Sequence, residues 1–361
     1  MALVRLAHAI HGSNGVVALT VDHGLRKSSA AEARKVKSWC KALGLEHHTL
    51  KWQHGKVSTG LQAKARTARY DLMSAWCSKH GMGILLTAHT ADDQAETVYM
   101  RMKRTSSPAS LAGIWPEAEW GGIRILRPLL SKRRAALRTY LHSCGQQWIE
   151  DQSNADEKFE RVRIRNTKPN INLVKTAAIA QRQVITSRRE AESWAAKNCA
   201  MTQSGMMKFE SGSLTSISLI ARDEALLKII ALCGGTETEL AKRQDLLIWF
   251  QTAGSPRRTL GRCIFVKTKH GICVAKEAAR IDARPQEVKS ATPMVWDNRF
   301  WITAPKGSTV IAKRYVKHMK RNDKLPFFVD QSLPIVQLPN HISIDAVQSP
   351  SALVTATFIK K

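Results

Sequence analysis

The chain has 361 residues, 43% of them hydrophobic and 24% charged, which are ordinary values for a globular protein with two or three cored domains. Its 56 Lys and Arg against 29 Asp and Glu give a net charge of +27, an excess that favours polyanions as partners, nucleic acid first among them, over a merely solvated basic surface. No apolar run reaches the about 20 residues of a membrane helix, the N-terminus lacks a secretory pattern, and the seven cysteines are scattered with no C-x-x-C. That usage argues against a disulfide framework, a zinc ribbon and an iron–sulfur or persulfide site, and suits bystander thiols in a reducing cytoplasm.

Residues 1–10 read as the tail of an amphipathic helix, with Leu3, Leu6, Ala7 and Ile10 at helical spacing. A Gly-rich turn at 11–15 leads into the apolar run Val16–Val21, a buried strand with Asp22-His23-Gly24 at its carboxyl end. Ser28–Leu43 reads as a helix capped by Ser28 or Ser29 and stopped by Gly44, and Glu46–Lys51 as a strand. Ala63–His80 is a helix, Gly83–Ala88 a buried strand and Ala91–Lys103 a helix. This alternation predicts an α/β domain whose parallel sheet is covered on both faces. Residues 173–200 and 216–233 read as basic helices, Thr259–Ala275 as strands, Ala283–Pro293 as a linker, and Met294–Lys361 as short pieces, mostly strands.

In an open parallel sheet ligands bind beyond the carboxyl ends of the strands, where Asp22-His23 and His89 both fall. Asp92, Asp93 and Glu96 occupy the first turns of the helix that follows His89, where they share a face and suit the helix dipole. Such a cluster holds Mg²⁺ or a cationic amine, or simply caps its helix. Arg66 and Arg69, three apart on a helix, can fork a phosphate or form a solvated face. Asp151-Gln-Ser-Asn154 precedes Arg161-Val-Arg163-Ile-Arg165, whose strict alternation in an extended stretch would turn all three arginines one way, along a phosphate channel or an exposed basic edge.

The ordered blocks Val21-Asp-His-Gly-Leu-Arg26, Arg66-x-x-Arg69-Tyr70, Thr87-Ala-His-x-x-Asp-Asp-Gln-x-Glu-Thr97, Arg127-Pro-Leu-Leu130 and Asp151-x-Ser-Asn154 with Arg161-x-Arg-Ile-Arg165 resemble the tRNA(Ile)-lysidine synthase family. Five blocks in order over residues 16–166 make the resemblance specific, while Thr259-Leu-Gly-Arg-Cys263 and Lys276-Glu277 match weakly and the chain beyond 286 only loosely. The resemblance implies a PP-loop ATP pyrophosphatase domain at 1–170, a mainly helical tRNA-binding domain at 171–285 and a small α+β or β domain at 286–361. It implies that ATP adenylates O2 of the wobble cytidine of tRNA(Ile) with a CAU anticodon, and that the ε-amine of L-lysine then displaces AMP. Mg²⁺ would shield the departing pyrophosphate. By the same resemblance Asp93 and Glu96 engage the lysine with Arg69 close to the reacting centre. Asp22, His23, His89 and Arg66 then lie by the nucleotide, and Arg161 and Arg165 face ATP phosphate or tRNA. No membrane partner is expected, and a homodimer is a candidate assembly.

Two departures stand out. Where the family has a Gly-rich stretch, this chain has Arg104-Thr-Ser-Ser-Pro-Ala-Ser110, a stiffer loop. The family's Ser-Gly-Gly-x-Asp-Ser phosphate loop has no counterpart, because Gly12-Ser-Asn-Gly15 lies at the wrong end of the first helix. The expectation is that Met1 corresponds to an internal residue, that about 25–35 residues are missing (a strand plus its leader), and that the chain as written is inactive. Two alternatives remain open: a PP-loop tRNA sulfurtransferase, disfavoured by the missing C-x-x-C, and a non-catalytic tRNA-binding remnant. Basic residues from Lys313 to Lys324 suggest a further tRNA backbone contact or a solvated face.

Overall fold

The computed structural model describes all residues except 26–27, 56–59, 106, 151–159, 168, 237, 291, 317–318, 320–324, 340–341, 348–353 and 359–361. The expected Asp151-Gln-Ser-Asn154 turn, Arg26, and Lys317, Lys320, Arg321 and Lys324 therefore lie outside the described residues. The chain divides into two compact units, Met1–Gln183 and Val184–Lys361.

The first unit runs α1 (Ala2–His11), β1 (Val17–Asp22), α2 (Ser29–Ala42), β2 (Glu46–Lys51), α3 (Leu61–Lys79), β3 (Ile84–Leu86), α4 (Ala91–Met102), α5 (Pro108–Leu111), β4 (Glu117–Trp120), β5 (Ile123–Leu126), α6 (Arg134–Ser143) and α7 (Glu160–Asn166), then enters α8 (Leu173–Asn198). β1 pairs parallel with β2 from Val17↔Glu46 to Asp22↔Lys51. β3 pairs parallel with β5, whose other edge takes β4 antiparallel, so this sheet is mixed while the β1-β2 sheet is wholly parallel. The antiparallel partner comes from the β4–β5 hairpin, a two-residue Gly121-Gly122 turn with both residues at positive φ. One apolar cluster joins the two sheets: Tyr70, Met73 and Cys77 on the inner face of α3 pack with Leu85, Ile123 and Ile125, and with Leu19, Val21 and Leu50. The strand ends of both sheets are thereby held over one helix, and α3 projects its arginines past them.

Three local features depart from the sequence reading. Residues 160–166 form the helix α7 instead of an extended stretch. Ala283–Pro293 is not wholly a linker, because Gln286–Glu287 forms a strand and Val288 is buried beside it. Within Arg104–Ser110, Ser107 accepts a hydrogen bond from Ser110 N and Pro108 opens the short helix α5, a position where a missing N–H costs nothing.

The second unit continues from α8 through β6 (Ala200–Met201), β7 (Met207–Phe209), α9 (Leu219–Leu232), α10 (Leu240–Gln251), β8 (Arg257–Leu260), β9 (Cys263–Thr268) and β10 (Gly271–Lys276). The stretch expected to be mainly helical thus also carries an antiparallel sheet in the order β6-β7-β10-β9-β8. Its core is Leu226, Ile229 and Ile230 of α9, Leu246, Trp249 and Phe250 of α10, and Phe265 and Val274 of the sheet. The rest is β11 (Gln286–Glu287), β12 (Met294–Trp296), β13 (Phe300–Thr303), β14 (Thr309–Ala312), α11 (Phe327–Asp330), β15 (Pro334–Gln337), β16 (Ser343–Asp345) and β17 (Thr355–Phe358), which form two small antiparallel sheets, β11-β14-β15-β16 and β12-β13-β17, around a second core. Lys313 is buried there on Asp330 and Asp345, at 2.6 and 3.4 Å, so this lysine is a core ion pair and not a surface contact for RNA. No helix among the described residues is long and apolar enough to cross a membrane, and all seven cysteines are unpaired.

Candidate functional site

The carboxyl end of β1 breaks into a turn at Gly24, which sits at φ 62, a conformation that L side chains rarely adopt. Asp22 Oδ1 accepts hydrogen bonds from Gly24 N at 2.9 Å and Ser29 Oγ at 2.7 Å, which hold its carboxyl below the usual range and tie the turn to the start of α2. That oxygen serves the loop, and the next residue, His23, meets α3. Arg69 approaches His23 Nε2 at 3.1 and 3.3 Å. A guanidinium only donates, so Nε2 is the acceptor and the ring proton lies on Nδ1. Nδ1 is buried and, among the described residues, without an acceptor. Burial, then Arg69, lowers the pKa of His23, consistent with a neutral ring. Trp52 packs edge-on against His23, with ring centroids 5.8 Å apart.

One turn earlier on α3, Arg66 lies over the ring of Tyr70, at 5.1 Å. Its charge reaches the end of β3, where His89 shares a 3.1 Å hydrogen bond with Thr87 Oγ1. Burial drives the pKa of His89 down to about 4; Asp93 opposes the fall, and Arg127, Arg66 and Arg161 add to it. Arg66 and Arg69 therefore attend two different strand ends.

Past His89 the chain enters α4 through a capping box. Thr90 Oγ1 accepts from Asp93 N at 3.4 Å, and Asp93 Oδ2 accepts from Thr90 N at 2.9 Å and Thr90 Oγ1 at 2.6 Å. Asp92 faces the start of α6: its carboxylate accepts from Arg134 N at 2.7 Å and from Arg133 Nε at 3.3 Å. Two of the three acids thus do cap helices, α4's own and its neighbour's. The third, Glu96, is 2% exposed. It receives Arg165 Nε at 2.9 Å, Arg161 Nε at 3.0 Å and Arg134 Nη2 at 3.3 Å. Asp93 Oδ1 receives Arg161 Nη2 at 3.1 Å and Arg134 Nη2 at 3.3 Å. Burial opposes the charge on Asp93, yet the Thr90 hydrogen bonds with Arg161 and Arg134 hold its carboxyl below the usual range. Burial likewise opposes the charge of Arg165, but Glu96 outweighs it and raises the guanidinium's pKa.

Helical geometry explains how Arg161 and Arg165 converge: four residues apart, they share the face of α7 turned to α4, while Arg163 is exposed. Buried Val162 and Ile164 anchor the helix. Sequence reasoning missed Arg134, which lies 38 residues from Glu96. Its only sequence signal is the basic run Lys132-Arg133-Arg134 just after the Arg127-Pro-Leu-Leu130 block. Among the described residues no group of three or more His, Cys, Asp or Glu is arranged to hold a metal ion. The site as a whole is a row of neutral imidazoles and guanidiniums ending on two carboxylates already engaged by cations, an arrangement suited to anionic ligands along most of its length and to a cation at the acid pair alone.

A family model described as a PP-loop domain matches residues 1–170. Curated relatives named tRNA(Ile)-lysidine synthase are similar to this chain. That of Mesorhizobium japonicum is 34% identical over 313 residues, covering 80% of this chain and 65% of the relative. That of Rhizobium meliloti is 31% identical over 309 residues, covering 82% and 68%. That of Rhodopseudomonas palustris is 44% identical over 167 residues, covering 46% and 48%. The chain thus spans about two thirds of the length of the first two relatives and about half of the third. Among solved structures, the U34-tRNA thiolase NcsA from Methanococcus maripaludis overlaps 50% of this chain at 12% identity with a TM-score of 0.41, too loosely to bear on the chemistry.

Proposed function

The chain belongs to the tRNA(Ile)-lysidine synthase family, and on that footing we propose that it serves the ATP-dependent ligation of L-lysine to the wobble cytidine of tRNA(Ile) with a CAU anticodon. In the first step O2 of the cytidine attacks the α-phosphorus of ATP and pyrophosphate leaves. In the second the ε-amine of lysine attacks C2, and AMP departs with the oxygen, giving lysidine. The observation that carries this reading is the acid pair Asp93–Glu96 within a field of arginines, beside two histidines with lowered pKa at strand ends. An adenylation needs fixed positive charge for phosphates and a separate acidic seat for an amine. Arg66 and Arg69 stand toward the nucleotide, His23 and His89 act as uncharged hydrogen-bonding groups beside it, and the seat is Asp93 with Glu96. Arg161 and Arg165 shape that seat and border the phosphate side.

Mg²⁺ fits this acid cluster poorly. The three carboxylates already accept from arginines, the Thr90 cap and the backbone of Arg134, so they do not form an oxygen cage, and no step is assigned to the ion. Incubating the chain with a tRNA(Ile) transcript, ATP, Mg²⁺ and labelled lysine tests the proposal. Label entering the transcript with C34 and not one with U34 would support the ligation and would overturn the expectation that the chain as written is inactive. Tight, salt-sensitive transcript binding without label would instead support a tRNA-binding protein without turnover.

A further inference from the structure

The acid pair reserved above for the substrate's amine is already occupied. Among the described residues, the carboxylates of Asp93 and Glu96 are in direct contact with three cations, Arg134, Arg161 and Arg165. Adding an ammonium to that set would place a fourth positive charge beside Glu96, whose side chain is 3% exposed. Burial of unbalanced charge is costly, so the seat admits a cation readily only if one leaves.

The three arginines are not equally placed to leave. Arg165 makes two contacts to Glu96, at 2.9 and 3.4 Å, and its side chain is 27% exposed. Arg161 spans the pair through two separate nitrogens, Nε to Glu96 at 3.0 Å and Nη2 to Asp93 at 3.1 Å. Arg134 alone spans it through a single nitrogen: Nη2 lies 3.3 Å from Asp93 Oδ1 and 3.3 Å from Glu96 Oε1. That is the position an ammonium nitrogen would take to meet both carboxylates. Neither contact of Arg134 is shorter than 3.3 Å, whereas Arg161 and Arg165 each make at least one at 3.0 Å or less, so Arg134 is the most weakly held of the three. The backbone of Arg134 is secured separately, since its N–H donates to Asp92 Oδ2 at 2.7 Å and α6 continues behind it. The side chain can therefore withdraw while the helix stays.

We propose that Arg134 is a place-holder for the substrate's ammonium, and that lysine enters the Asp93–Glu96 seat by exchanging with the Arg134 guanidinium. This rests on the reading of the acid pair as the lysine seat. The exchange holds the charge of the seat constant, because the ammonium brings the charge that Arg134 takes away. Glu96 stays paired throughout by Arg161 and Arg165. The place-holder also sets a threshold for occupancy: a neutral side chain of similar length has no charge with which to displace a guanidinium.

The test is binding, which needs no turnover. Affinity of the full chain for L-lysine is measured by calorimetry or equilibrium dialysis for wild type, Arg134→Met and Arg134→Lys, with L-norleucine as the uncharged control. Removing the competing cation should tighten lysine binding by about tenfold in Arg134→Met, the factor by which a filled seat reduces apparent affinity when it is open a tenth of the time. Arg134→Lys keeps a tethered cation and should bind no more tightly than wild type. Norleucine, which brings no cation to the acid pair, should gain less than lysine in Arg134→Met, and an equal gain for both would show that the seat does not select for charge. Unfolding midpoints close to wild type establish that both variants are folded, and Arg134→Gln replaces Arg134→Met if that chain does not fold. If wild type binds lysine and Arg134→Met binds it equally or less tightly, the exchange is wrong and the lysine seat survives. If neither binds lysine, the seat reading falls and the exchange with it.

Discussion

At the end of β3, burial and three nearby guanidiniums strip His89 of its proton, leaving a pKa of about 4 against its usual 6.5. The sign of the effect on stability follows. Between those two values the unfolded chain binds a proton that the native chain does not, so stability rises with pH across this window and is lost as pH falls from 6.5 toward 4. His89→Asn keeps a polar partner for Thr87 without the titration. It should therefore flatten the decline in unfolding midpoint over that interval, and equal slopes in the two proteins would sink the assignment. Burial lowers the pKa of His23 as well, and there Arg69 adds to it and makes Nε2 the acceptor. Among the described residues its Nδ1–H is buried without an acceptor, a loss worth about 1–3 kcal/mol.

At the scale of elements, α7 decides which arginines matter. On a helix Arg161 and Arg165 point to α4 and Arg163 does not, whereas an extended stretch would align all three. Arg165→Ala should cost about 1.5–3 kcal/mol in urea denaturation of the full chain, the range for a hydrogen bond to a charged group. A loss below about 0.5 kcal/mol, the level of an ordinary surface substitution, would show that Arg165 does not hold Glu96. The contrast also marks how far the sequence can be read. Elements through residue 103 are legible because each carries its own period, bounded by Gly or a cap, and the structure places them within a residue or two of expectation. Arg161-Val-Arg-Ile-Arg165 has a strand's alternation in sequence, but it folds as a helix. Two of its arginines then reach one buried carboxylate 65 to 69 residues away, and local periodicity contains no trace of that demand. Arg134 was illegible for the same reason. Of the acids, helix capping was legible as an alternative for the cluster, while its assignment to Asp93 through Thr90 and the arginines around Glu96 became visible only in three dimensions.

Across the whole molecule the surplus of +27 favours a polyanionic partner. If binding of tRNA engages six or more phosphates, affinity should fall about a thousandfold between about 50 and 200 mM salt, with a linear dependence on the logarithm of salt concentration. Filter binding with the tRNA(Ile) transcript measures it, and an affinity indifferent to salt would remove charge as the driving term. Not every basic residue enters that sum. Lys313 is consumed by Asp330 and Asp345 in the second unit's core, Arg243 by Asp223, and Lys276 and Arg299 by Asp297.

The capping box at the start of α4 has a practical consequence for anyone evolving this site. Asp93 spends one oxygen on the helix and the other on the arginines, so a library randomised at position 93 and scored by product alone would discard two kinds of clone together: those that no longer fold and those that fold without a seat. Position 96 takes no part in the box, but its loss strands three guanidiniums, so at both positions a paired screen for soluble expression and product is needed to sort the two losses apart.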